Sequence, residues 1–157
     1  MLHLRTAIAA ARRQDRAAAT ELLTRAGDAA QRLGIDIDLW HTSFGPANVE
    51  IHRLSAALDL GDVAWVVDRG SHLDTTGLPV ERRVTHLTDF ARALTLLAHD
   101  DQALGVLLAA EREAPALVRH SAEVRETVKV MQRRAPVTGG RRSSELFGLA
   151  QRCRAVR

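Results

Sequence analysis

The sequence predicts an all-α protein, and three observations carry that reading. Apolar residues recur at helical spacing almost without interruption, while the alternation that marks a half-buried strand is absent. The few interruptions are of the kinds that end helices. The composition is 46% hydrophobic and rich in alanine, with two Trp, three Phe and no Tyr, so apolar surface is spread over small side chains that suit closely packed helices.

Taken in order, the first helix spans 2–13 and stops at Gln14-Asp15, and the second spans 16–33 and stops at the stretch 34–45. A third covers 46–60, with Pro46 in its first turn, where a missing N–H costs little. After Gly61-Asp62 comes 63–73, then a break from Asp74 to Pro79. Pro79 likewise suits the start of the helix at 80–98, and His99 to Asp101 separates that helix from 102–113. Beyond Pro115 a helix at 117–134 runs to "APVTGGRR" (135–142), and a last short helix occupies 144–154. Successive helices should lie antiparallel in pairs.

A chain of 157 residues is long enough to bury a core without disulfides or metals. Its one cysteine, Cys153, has no partner for an internal disulfide, which suits a reducing cytoplasm. "MLHLRTAIAAARRQD" has too short an apolar run for a signal peptide, and no segment approaches membrane-spanning length. A soluble, cytoplasmic protein is therefore expected. Lys129 is the single lysine against many arginines, an imbalance attributable to a GC-rich genome. Residues 1–114 carry 12 basic and 16 acidic side chains, net −4, whereas 115–157 carry 10 basic and 3 acidic, net +7. A basic tail binds nucleic acid or an acidic partner, or is simply solvated; with Phe147 alone among those arginines, stacking on bases has little support.

The helix pairs repeat. In "HLTDFARALTLLAHDDQALGVLLAAEREAP", Ala91, Ala103, Ala110 and Pro115 follow at spacings of 12, 7 and 5. Ala7, Ala19 and Ala26 show the same 12 and 7, with Gln31 where the proline would stand, and Leu54, Val66 and Leu73 occupy those places in the middle pair. The pattern resembles the tetratricopeptide repeat, whose small residues let two helices pack closely. Aligned offsets are 47 and 37 residues, longer than the usual repeat of about 34, with the excess in the connectors at 33–45 and 74–78. The resemblance implies a tetratricopeptide-like right-handed superhelix over 1–134, in which the helix at 117–134 caps the open end, followed by a basic tail with a short helix over 135–157.

The order "FGPANVEIHR", "LGD", "LP-ERR-HL-D-ARA" and "EVRETVKVMQRR" is similar to the C-terminal region of actinobacterial regulators that carry an N-terminal Xre-type helix-turn-helix. In that family the helical region is taken to sense a ligand or dimerise, and a separate domain binds DNA. No helix-turn-helix is read in these residues, so direct, specific DNA binding is not expected of this chain, whether it is a stand-alone protein or part of a longer regulator.

At 100° per residue, helix 46–60 shows one apolar stripe of Ala47, Ile51, Leu54 and Leu58 and another of Val49, Ala56 and Leu60. Between them runs a polar line of Asn48, His52, Ser55 and Asp59. In tetratricopeptide stacks the first helix of each pair lines the concave surface, so the repeat offsets add Thr85, Asp89 and Arg92 on one side and Arg5 and Arg12 on the other. Asn48 offers a donor and an acceptor, and Arg92 can clamp a carboxylate in bidentate fashion. His52 and Asp89, at equivalent places, either face a ligand or pair with each other. Trp40, His41 and Phe44 in the long connector either rim the groove or plug the core.

Nothing announces an enzyme. His3, His72, His86, His99 and His120 lack metal-ligand spacing, no metal or cofactor is expected, and there is neither a phosphate-binding glycine loop nor a nucleophile elbow. The expectation is a ligand-sensing or protein-interaction domain that takes a peptide or small molecule in its groove and dimerises, without a membrane partner. The alternative is a regulator-derived protein that binds or converts a small apolar metabolite, using a histidine and an aspartate as acid and base. A dimer whose groove accepts the partner's basic tail is a third reading.

Overall fold

Nine helices and no strand make up the described residues, 2–33, 44–135 and 140–156, of the computed structural model. They are α1 (Leu2–Arg12), α2 (Arg16–Leu33), α3 (Pro46–Asp59), α4 (Val63–Gly70), α5 (Val80–Leu96), α6 (Asp100–Glu113), α7 (Pro115–His120), α8 (Ala122–Arg134) and α9 (Arg141–Arg152). The chain divides into two compact units, 1–86 and 87–157, with the boundary inside α5. Among the described residues no helix is long and apolar enough to cross a membrane.

One turn is used four times among the described residues, and three of its instances share the repeat spacing. Gln14, Gly61 and Ala98 hold φ of 61°, 87° and 60°, the left-handed region. In each case the following amide reaches back five residues: Asp15 to the Ala10 carbonyl at 3.0 Å, Asp62 to Ala57 at 2.9 Å and His99 to Leu94 at 2.9 Å. The left-handed residue's own amide reaches back three, to Ala11, Leu58 and Thr95, at 2.9, 3.2 and 3.0 Å. This is the Schellman arrangement, which satisfies carbonyls that a helix end would leave unpaired. These three turns fall 47 and 37 residues apart, the same offsets that align the sequence repeats, whereas the fourth, at Arg154 (φ 54°), where the Ala155 amide reaches the Ala150 carbonyl at 2.8 Å, closes α9 outside that spacing. Only Gly61 takes that backbone freely; Gln14 and Ala98 hold it at a cost of about 1–2 kcal/mol each, offset by the capped ends.

In the first unit α1 packs on α2 and α3, α2 on α3, and α3 on α4. Its core joins Leu4, Ala7, Ala10 and Ala11 of α1 to Ala19, Leu23, Ala26 and Ala30 of α2 and to Val49 and Ala56 of α3. Ala7, Ala19 and Ala26, singled out by spacing, are all buried here. Small side chains let the helix backbones approach closely, so the core gains area through proximity rather than through large rings.

In the second unit α6 packs on α7 and α9, and α8 on α7 and α9. The single helix expected over 117–134 is instead two. Ser121 turns extended (φ −70°, ψ 123°), and its hydroxyl accepts the Val124 amide at 3.2 Å, so it ends α7 and caps α8. Apolar periodicity runs straight through the break, which is why it was not legible as one. The stretch read as a basic tail carries α9, whose Leu146, Leu149 and Ala150 are buried, as are Cys153 and Ala155 just beyond it. An acidic side chain ties three helices together: Glu111 of α6 accepts from Arg119 Nε of α7 at 2.8 Å, and from Nε and Nη2 of Arg152 in α9, both at 2.7 Å. Burial pushes the adjacent Cys153 thiol up, which keeps it protonated and poorly reactive.

Candidate functional site

Helix α3 is the most enclosed element of the first unit, with eight of its fourteen residues buried. Pro46 stands at its first position, and the helix passes between neighbours on both sides, as its two apolar stripes require. The polar line between the stripes is not an open trough. Asn48 is 0% exposed, and among the described residues neither its Oδ1 nor its Nδ2 has a hydrogen-bond partner. One turn on, His52 is also buried, and its Nδ1 donates to the Asn48 carbonyl at 2.9 Å. That bond assigns the proton to Nδ1 and leaves Nε2 as an acceptor.

Burial pushes the His52 pKa down, outweighing the Asn48 carbonyl bond that favours the charged form, and the cationic Arg82 and Arg5 push in the same direction as burial. His86, whose Nε2 donates to the Gly70 carbonyl at 3.1 Å, is lowered by burial too. Both rings are therefore neutral in the fold. Their folded values lie below the ordinary 6.5, so on acidification the unfolded chain takes up protons first. Stability is intact above pH 6.5 and is lost as pH falls below it. The melting temperature is expected to fall between neutrality and about pH 5, and the double substitution His52→Gln/His86→Gln should remove most of that fall. An equally steep acid slope in the double variant would refute the assignment.

The other sequence-selected residues are distributed as follows. Ser55 is half-buried and has a bonding partner. Asp59 receives Arg12 Nε at 3.3 Å, and its backbone carbonyl accepts from Gln14 Nε2 at 2.8 Å. Arg12 and Asp59 are equivalent under the 47-residue offset, so equivalent positions of neighbouring helices do meet. Thr85 is exposed, and its hydroxyl donates to the Glu81 carbonyl at 2.8 Å. Asp89 and Arg92 belong to the second unit, half-buried and already engaged in interactions of their own. Phe44 packs, half-buried, on the α1–α2–α3 core, as a plug would. Trp40 and His41 lie outside the described residues.

Sequence reasoning passed over the other face of α3. There a groove of about 680 Å³ runs between α2, α3 and α4, with Trp65 at its edge. The second unit has a smaller cavity of about 480 Å³ near the start of α6. Its Arg134 is bonded to the Thr95 carbonyl and to Asp100, and its Arg142 to the Asp101 carbonyl, so both guanidiniums are tethered through Nη1. Among the described residues no cluster of His, Cys, Asp or Glu could hold a metal ion.

No family model matches this chain, and neither a curated protein nor a solved structure matches it in comparison. The functional reading therefore rests on the residues.

Proposed function

We propose that this chain is a ligand-sensing and protein-interaction module of tetratricopeptide-like build. It would work in the cytoplasm as a homodimer, in the manner of the sensor regions of the Xre-type regulators it resembles. The repeated Schellman turn at the aligned offsets and the buried small residues support the repeat reading. The observation that carries the ligand reading is Asn48. A buried amide with no partner costs about 1–3 kcal/mol, and groups left so usually mark a place where something else completes the bonding. Beside it, neutral His52 presents an acceptor at Nε2. The burial of both favours an enclosed small molecule over a peptide laid in an open trough. The matching ligand is a neutral molecule with an amide-like donor and acceptor.

The test compares wild type with Asn48→Leu, which keeps the branching and removes both polar atoms. If Asn48 serves a ligand, the variant should gain about 1–2 kcal/mol of stability while losing the bound species. Native mass spectrometry of protein purified from its producer reads adduct and stoichiometry together. A drop of several degrees in melting temperature, with the adduct retained, would show that the amide is structural.

A further inference from the structure

The groove between α2, α3 and α4 has an apolar floor and, among the described residues, one arginine whose charge is not paired. Ala19 and Leu23 of α2, with Ala56, Ala57 and Leu60 along α3 and its end, form the floor. Trp65 on α4 stands at the edge with 43% of its surface exposed, an unusual place for a large ring without a partner. Of the charged side chains along the groove, Arg16 is matched by Asp62, donating to both carboxylate oxygens at 2.5 and 3.0 Å. Arg53 donates through Nη2 to the Leu23 carbonyl at 3.3 Å. Its buried Nε lies 3.1 Å from a Glu50 oxygen, an ion pair that compensates its charge although Nε makes no hydrogen bond among the described residues. Arg69, exposed at the α4 wall, has no side-chain partner among the described residues.

We infer that this groove binds a small organic anion with an apolar body, the charged group held by Arg69 and the body lying on the alanine floor against Trp65. The volume falls in the range of small-molecule sites, which are mostly apolar with a few placed polar groups. Charge decides the class. Arg16 and Arg53 are paired within the groove by Asp62 and Glu50, so Arg69 supplies the one uncompensated charge there among the described residues; a carboxylate or sulfonate answers it and a cation is repelled by it. The groove lies on the face of α3 away from the Asn48 line, so this inference is independent of the proposed function.

The probe is 1-anilinonaphthalene-8-sulfonate, an aromatic anion, titrated by fluorescence into the full chain. Saturable binding is expected, with energy transfer from tryptophan that Trp65→Phe lowers, Trp40 being the chain's other donor. Arg69→Glu should weaken the dye about tenfold, a change of about 1.4 kcal/mol, while Arg69→Lys stays close to wild type. Naphthalene-1-acetate should displace the dye, and its neutral amide should compete at least about tenfold less well. Dye binding unchanged in Arg69→Glu, at an unchanged melting temperature, would mark indiscriminate apolar adsorption and overturn the assignment. So would equal competition by the amide. Displacement by an acidic, leucine-rich peptide at lower concentration than the acetate would overturn it in favour of a protein partner.

Discussion

Glu111→Ala is expected to destabilise the second unit by about 2–3 kcal/mol, because it removes the acceptor of three charge-assisted bonds. The carboxylate is buried, whereas Arg119 and Arg152 keep 42% and 39% of their side-chain surfaces exposed. Water therefore recovers part of what the two guanidiniums lose, so the cost stays below that of breaking a fully buried pair. At roughly 2–4 °C per kcal/mol for a chain of this size, the melting temperature should drop by about 4–12 °C. Arg152→Ala should cost more than Arg119→Ala, since Arg152 contributes two of the bonds. The same group gives the protein an acid dependence distinct from that of the histidines. The Arg152 hydrogen bonds, opposed by burial and helped by Arg119, hold the Glu111 carboxyl below its ordinary 4.5. The unfolded chain then binds the proton first, so this stabilisation is complete above pH 4.5 and is lost as pH falls through the lower, folded value. Thermal unfolding across pH, with and without the substitution, checks both statements. A melting temperature within a degree of wild type would mean that the cluster contributes nothing.

Ala7→Leu is expected to cost about 2–3 kcal/mol in the first unit. Ala7 is fully buried in the core that joins α1 to α2 and α3, and the added carbons have no space to enter. Either α1 moves away from α2, which loses contact along the whole seam, or the side chain takes a strained rotamer. Ala9→Leu, on the exposed face of the same helix, changes the composition identically and should shift stability by less than about 0.5 kcal/mol. The comparison separates packing from helix propensity, since the two variants share propensity. Equal melting temperatures would show that the small residue at position 7 is not what permits the close approach.

These results also show how far the residues alone could be read. The all-α class and most helix bounds follow from local chemistry. Apolar spacing sets where a helix buries its stripe, and Gly61 and the prolines at 46 and 79 mark backbone changes that depend on near neighbours only. The 47- and 37-residue offsets were legible for the same reason, and the turns at Gln14, Gly61 and Ala98 obey them. The break at Ser121 was hidden, because serine is tolerated inside a helix and only its hydroxyl bond to the Val124 amide reveals a cap.

The polar line on α3 was likewise visible, but its surroundings were not. Periodicity placed Asn48, His52, Ser55 and Asp59 on one face. Which of them would be dry, unpartnered or ion-paired depended on what neighbouring helices bring beside that face, Arg5 and Arg12 of α1 and Arg82 of α5 among them. The Asn48 amide was buried without gaining a partner among the described residues, His52 was held neutral, and Asp59 found Arg12 from forty-seven residues away. The groove beside Trp65 needed three helices to exist at all. The sequence by itself determined the helices, their repeat and the residues available for recognition, because these depend on side chains a turn or two apart. Only the tertiary structure decided which of those residues are buried, matched or left with an unmet charge, because desolvation and ion pairing are set by whatever packs against them.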